Sequence, residues 1–257
     1  MDKSRQNNTQ FAQISDVGCV RELNEDSLHA SEGLWLVADG MGGHACGEVA
    51  SEMAAQIISR DYFESKNLPA AIQKAHKQIV EAGNRGAGQA GMGTTVVAMA
   101  CEDEHCEIAW VGDSRAYLWE GNRKKLSQLT EDHSLIVRLV NSGLISREEA
   151  KHHPQRHMIT QCLGSVEIET VKVDVVEMDW QANQSILLCS DGLSDDVDEA
   201  TIIEVLSQNI EAKEKLQALV DLAKAAGGKD NISIILVDSP VEEVPGFWDK
   251  VKALFAR

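Results

Sequence analysis

Short apolar runs bounded by turn residues recur along this chain. Residues 34–38, 108–111 and 186–189 are unbroken apolar stretches, and each stops at a small polar step: Asp39-Gly40, Gly112-Asp113-Ser114 and Ser190-Asp191-Gly192. Runs this short, closed by turn residues, read as buried strands. A fourth run, 231–237, starts directly after Asp230. Further strands are expected at 9–15, 94–100, 106–112, 169–176 and 185–190, with 115–119 and 125–129 pairing across Glu120-Gly121-Asn122. Elsewhere the period changes to that of a helix. Val49, Ala50, Met53, Ala54, Ile57 and Ile58 share one face and predict a helix over 47–62. A second is expected over 69–82, with Pro69 in its first turn. Two more, 199–208 and 211–226, precede Gly227-Gly228, which suits a helix end. Residues 131–165 read as helical and irregular. Strands and helices come in clusters, which favours antiparallel sheets with helices outside over a βαβ array. Residues 1–239 read as one domain, and 240–257 as a linker and terminal amphipathic helix.

The chemistry lies where those runs end. Asp39, Asp113, Asp191 and Asp230 each sit at the end of a rigid core element, where sites are built. Glu25-Asp26 follow what reads as another strand-like stretch. One such carboxylate reads as a turn residue or helix cap. Several in one place repel one another and leave some protonated. Magnesium or manganese relieves that repulsion, because both take oxygen ligands. The pattern points to a metal-dependent enzyme acting on phosphate.

Composition sharpens this. Hydrophobic residues are 43% and aromatics only 4%, so aliphatic side chains and alanine must fill the core. Lys and Arg number 24 against 41 Asp and Glu, a formal charge of -17. That balance argues against nucleic acid as a partner, since its binding rests on cationic contacts. An anionic phosphate substrate then needs local positive charge, which metal ions supply. The six cysteines form no Cys-x-x-Cys pair, which argues against zinc ribbons and redox motifs. No apolar stretch approaches a membrane span. Reduced cysteines and a polar opening without a signal-peptide core predict a cytoplasmic protein.

Other motifs fail on context. Gly86-x-Gly88-x-x-Gly91 follows a helix and precedes a strand, the reverse of a dinucleotide site. No P-loop string and no Gly-x-Ser-x-Gly elbow is present. His152, His153 and His157 read as a solvated loop. Asp196-Val197-Asp198 is the one Asp-x-Asp, and it does not directly follow a strand, which weighs against an aspartyl-nucleophile phosphatase. A phosphoprotein-binding module without turnover is the other alternative.

Arg21-x-x-Asn24-Glu25-Asp26, Asp39-Gly40-Met41-Gly42-Gly43, Gly91-x-Gly93-Thr94-Thr95, Gly112-Asp113-Ser114-Arg115, Ser190-Asp191-Gly192 and Lys229-Asp230-Asn231 stand in this order. The ordered set, over about residues 10–238, closely resembles the bacterial metal-dependent type 2C (PPM) Ser/Thr protein phosphatases. The resemblance implies an α+β fold, a four-layer α-β-β-α sandwich of two antiparallel sheets flanked by helices. It implies two Mn²⁺ or Mg²⁺ ions, bridged by Asp39 and held also by the Gly40 carbonyl, Asp191 and Asp230. Glu25 and Asp26 match supporting or water-mediated ligands, and Asp113 with Asp191 matches a third, weaker ion site. It implies in-line attack on phosphorus by a water between the ions, with Arg21 gripping phosphate oxygens. Eukaryotic members carry a histidine where this chain has Met41, and a thioether has no proton to donate. The leaving oxygen is then expected to take its proton from metal-bound water rather than from His44. Residues 131–165, with His153 and Arg156 as candidate substrate contacts, match the family's variable flap. A phosphorylated protein, opposed to a cognate bacterial Ser/Thr kinase, is the expected substrate, and monomer the expected state. In the tail, Phe247, Val251, Leu254 and Phe255 share one helical face beside Lys250, Lys252 and Arg257. Docking on its own domain, on a partner or on a membrane surface all fit that pattern.

Overall fold

The computed structural model describes residues 9–41 and 46–242. His44, Gly42, Gly43 and the expected terminal helix therefore lie outside the described residues. The chain runs β1 (Phe11–Asp16), β2 (Asp26–Ser31), β3 (Leu34–Met41), α1 (Gly47–Ser65), α2 (Leu68–Asn84), β4 (Gly93–Thr94), β5 (Val96–Glu102), β6 (His105–Val111), β7 (Arg115–Glu120) and β8 (Lys125–Gln128). It continues through α3 (Leu135–Asn141), α4 (Arg147–Lys151), β9 (Asp174–Asp179), β10 (Gln184–Cys189), α5 (Asp191–Ser194), α6 (Glu199–Leu206), α7 (Ala212–Ala226) and β11 (Ile232–Asp238). One sheet has the order β1-β11-β10-β7-β8, and the other β2-β3-β5-β6-β9 with β4 against β3. All these pairings are antiparallel.

Side-chain alternation builds the layers. In β3, Trp35 and Val37 point into the space between the sheets, against Ile186, Leu188, Ile235 and Val237. Leu34, Leu36 and Ala38 point the other way, onto Ile58, Leu68, Ile72 and Ile79 of α1 and α2. Leu187, Ile234 and Leu236 likewise face Leu216, Leu219 and Val220 of α7. Strands buried on both faces need continuous apolar runs, which is why these segments do not alternate with polar residues. The result is the expected α-β-β-α sandwich of two antiparallel sheets. Local signals agree: the Asn67 side chain caps α2 at the Ala70 N–H, and Glu211 and Glu214 form a capping box on α7.

The structure corrects three expectations and adds one element. The stretch before Glu25-Asp26 is a loop, and the strand follows them as β2. Every residue of β2 is only half-buried, so its sequence, Asp-Ser-Leu-His-Ala-Ser, lacks the apolar run that betrays a core strand. β9 begins at Asp174 rather than 169; among the described residues it is an edge strand paired only with β6, and it alternates half-buried with exposed residues. The four-residue α5 was not foreseen. Finally, Cys101 and Cys106 are joined in a disulfide, so the expectation of reduced thiols fails for that pair. They lie directly opposite across the β5–β6 hairpin, with Cα atoms 4.3 Å apart, the close spacing of a non-hydrogen-bonded pair.

Candidate active site

Antiparallel pairing gathers the acidic residues at one end of the sandwich. Asp26 and Asp39 face each other across the β2–β3 register. β10 ends as β11 begins, which brings Asp191 and Asp230 together. β6 ends opposite the start of β5, which sets Asp113 beside Thr95. Thr95 Oγ1 accepts from the Asp39 N–H at 3.3 Å and bonds Ser114 Oγ at 2.7 Å.

The backbone here is packed without slack. A Cβ on Gly40 would lie 2.3 Å from the Gly47 carbonyl oxygen and 2.4 Å from that of Glu25. On Gly192 it would lie 2.0 Å from the Asn231 carbonyl oxygen. Only glycine fits either place.

Electrostatic strain marks the cluster. Burial, then the charges of Asp26, Asp191, Asp113 and Asp230, hold the Asp39 carboxyl well above its usual range. Burial, then Asp113, Asp195 and Asp230, does the same to Asp191. Burial chiefly pushes Asp26 to about 6 and, with Asp132 and Asp195, pushes Asp113 to about 7. All of these shifts run in one direction, so without a cation the cluster retains protons that exposed carboxyls would release. The Ser190 hydroxyl donates to Asp26 Oδ2 at 2.8 Å. Burial raises Glu25 as well, against the pull of Arg21 and the Gly47 N–H at the start of α1.

Arg21 stands on the loop 17–25. Its Nη2 donates to Asp230 Oδ2 at 2.7 Å, and its Nη1 lies 3.9 Å from Glu25. Asn231 holds this loop. Its Nδ2 donates to the Val17 and Leu23 carbonyls, both at 3.0 Å, and its Oδ1 accepts from the Glu25 N–H at 2.8 Å. Gly18 turns the loop at φ +79°, where a Cβ would meet the Asp230 carbonyl oxygen at 2.3 Å. The motif Lys229-Asp230-Asn231 contained Asn231, yet nothing in its spacing revealed that role.

The donor set suits a divalent cation. Asp191 Oδ1 is buried with no hydrogen-bond partner, an expensive arrangement unless a cation or water completes it. The oxygens clustered here match magnesium and manganese rather than softer metals. Among the described residues, no three His, Cys, Asp or Glu side chains close into a cage by themselves. An oxygen site that keeps several waters accords with that geometry.

The expected flap segment meets the site unevenly. Its arms are tied in by the bridges Thr94↔Leu163 and Ser134↔Ile159. His153 accepts from the Gln155 N–H within its own turn. Arg156 is exposed and lowers the Asp195 carboxyl, which burial otherwise raises. Farther along the flap, His157 Nδ1 lies 2.8 Å from Asp195 Oδ2. His157 is exposed, as expected of a loop residue beside the site.

The family model described as protein phosphatase 2C matches residues 20–225. A serine/threonine phosphatase stp of Listeria welshimeri is 39% identical over 239 residues, covering 87% of this chain and 93% of that protein. The crystal structure of the Mycobacterium tuberculosis serine/threonine phosphatase PstP/Ppp superposes with a TM-score of 0.82 at 36% identity, over 90% of this chain and 98% of that one. A structure of the PstP catalytic domain in complex with 2 manganese ions superposes at 0.78 with 34% identity, over 90% and 97% of the two chains.

Proposed function

The chain belongs to the protein phosphatase 2C family, and from that premise we propose that it removes phosphate from serine and threonine side chains of proteins with two divalent ions. The observation that carries this reading is the buried, unpartnered Asp191 oxygen amid carboxyls whose pKa values burial and mutual repulsion raise. Such a cluster costs stability unless cations complete it.

Asp39, the Gly40 carbonyl, Asp191 and Asp230 would hold the two ions, with Asp26 and Glu25 in support. Asp113 and Asp191 would hold a third, weaker one. When bound, divalent ions make a coordinated water acidic near neutral pH and screen the phosphate charge. Asp39 would serve those ions as a carboxylate, giving up the proton that burial and the neighbouring aspartates favour. Arg21 grips two phosphate oxygens with its planar fork, and Asp230 and Glu25 keep the guanidinium aimed. Alignment of nucleophile, phosphorus and leaving oxygen follows from holding both partners rigidly. Met41 donates no proton, so the leaving oxygen takes one from solvent in the site. The flap, with Arg156 and His157 on its site side, is where the peptide is chosen. A cytoplasmic setting, opposite a Ser/Thr kinase, is the context we propose.

Hydrolysis of a phosphothreonine peptide with manganese, with chelator, and by Asp191→Asn tests this. Turnover should require the metal and fall in the variant well beyond the roughly 10–100-fold that follows loss of a supporting group. Metal-independent turnover, or a variant as active as the parent, overturns the reading. Peptide binding without turnover under any metal favours a binding module.

A further inference from the structure

The loop carrying Asp113 is gripped at both ends by one dipeptide, Asp132-His133. On one side Gly112 and His133 exchange two hydrogen bonds. The Gly112 N–H donates to His133 Nδ1 at 3.1 Å, and the His133 N–H donates to the Gly112 carbonyl at 2.8 Å. On the other side Arg115 Nε and Nη2 donate to the Asp132 carboxylate at 3.0, 3.1 and 2.7 Å. Gly112 has no room to retreat: at φ +112°, a Cβ there would lie 2.6 Å from Thr95.

The imidazole itself is locked. A backbone N–H donating to Nδ1 leaves that nitrogen unprotonated, so Nε2 carries the hydrogen and donates to Asp174 Oδ2 at 3.1 Å. Trp110 stacks on the ring with centroids 6.2 Å apart, and His133 is only 9% exposed. The same residue also anchors the flap. Its carbonyl accepts from the Thr160 N–H at 2.6 Å and the Thr160 hydroxyl at 3.0 Å. Thr160 lies on the returning arm of segment 131–165, so one side chain and its carbonyl join three parts of the molecule.

We propose that His133 is a positioning residue that holds the Asp113 loop and couples it to the base of the flap. It touches neither substrate nor ion in this role. The proposal rests on the phosphatase reading above, because Asp113 matters to turnover only if it receives an ion. A supporting group one contact away from a ligand sets where that ligand points.

The test uses His133→Ala and His133→Asn in the full chain, since asparagine keeps an acceptor near the Nδ1 position but does not reach Asp174. Amide hydrogen exchange is read first, in chelator. His133→Ala should speed exchange at 112–114 and 160–163 while β3 and β5 stay protected. A general loss of stability would speed all of them together. Manganese half-saturation of aryl phosphate hydrolysis should then rise about tenfold to a hundredfold, with KM for the aryl phosphate nearly unchanged. His133→Asn should restore protection at Gly112 and much of the manganese response. A folded His133→Ala protein with parental exchange at 112–114, or with parental half-saturation, overturns the proposal. If His133→Ala does not fold, Asp174→Ala decides: it should shift both readouts in the same direction by less, and no shift overturns the proposal. Absence of manganese-dependent turnover in the parent removes the phosphatase reading, while the exchange arm still decides whether the tether exists.

Discussion

At the scale of single residues, the site is a set of costs that a cation would relieve. Asp26 at about 6 and Asp113 at about 7, with Asp39 and Asp191 also raised, bind protons in the folded state that an unfolded carboxyl releases near 4. Stability then falls as pH rises through that interval, because the folded state is the one holding more protons. In chelator, the melting temperature should drop between pH 5 and 8, and manganese should restore it at pH 8 far more than at pH 5. Scanning fluorimetry across that range reads this directly, and a melting temperature that climbs with pH in chelator refutes it. Asn231 offers a second check. It is 3% exposed and spends three hydrogen bonds on the loop of Arg21. Asn231→Ala leaves two carbonyls and one N–H without partners, at a cost of about 1–3 kcal/mol. Denaturant unfolding should show that loss, and KM for phosphate esters should rise as Arg21 loses its aim. Asp39, Asp113, Asp191 and Asp230 were legible in the sequence because each stands at one end of an apolar run. Asn231, His133 and His157 were not, because their partners lie far away in the chain: Asn231 reaches Val17, His133 reaches Asp174 and His157 reaches Asp195.

At the scale of elements, legibility followed burial. β3, β6, β10 and β11 are apolar on both faces and stood out as continuous runs. β2 is a half-buried strand with only Leu28 and Ala30 apolar among polar residues, so it stands out by pairing with β3 rather than by its own pattern. β9 is an edge strand whose bounds shift for the same reason. The Cys101–Cys106 bond was equally hidden. A spacing of 5 residues says nothing until the hairpin register sets the two directly opposite. Its loop is short, so the entropy it removes from the unfolded chain is limited, about 2 kcal/mol by the loop-closure estimate. Strand direction adds a functional statement. The bond lies at the turn between β5 and β6, whereas Thr95 and Asp113 lie at the opposite ends of those strands. Cys101→Ser should therefore lower stability by no more than about that amount and leave phosphatase turnover unchanged. Turnover that falls with reduction or with this variant would mean that the hairpin turn communicates with the site.

At the scale of the whole molecule, a formal charge of -17 surrounds a site meant for anions. Local charge decides binding at contact: Arg21 lies at the rim, and the proposed cations lie beneath. Long-range charge decides approach, and its reach depends on salt, about 30 Å at 0.01 M against about 8 Å at 0.15 M. A phosphopeptide with acidic flanks is repelled by the body of the protein before it meets Arg21. One with basic flanks is drawn in. Raising salt from about 10 to 150 mM should therefore increase kcat/KM for the acidic peptide and decrease it for the basic one. An uncharged aryl leaving group, carrying only its phosphate, should fall between them. The opposite slopes matter more than their size, since ionic strength also weakens metal binding and would move all three substrates together. Parallel slopes for the two peptides would place selectivity in contacts at the flap, with Arg156 and His157, rather than in the field of the whole chain.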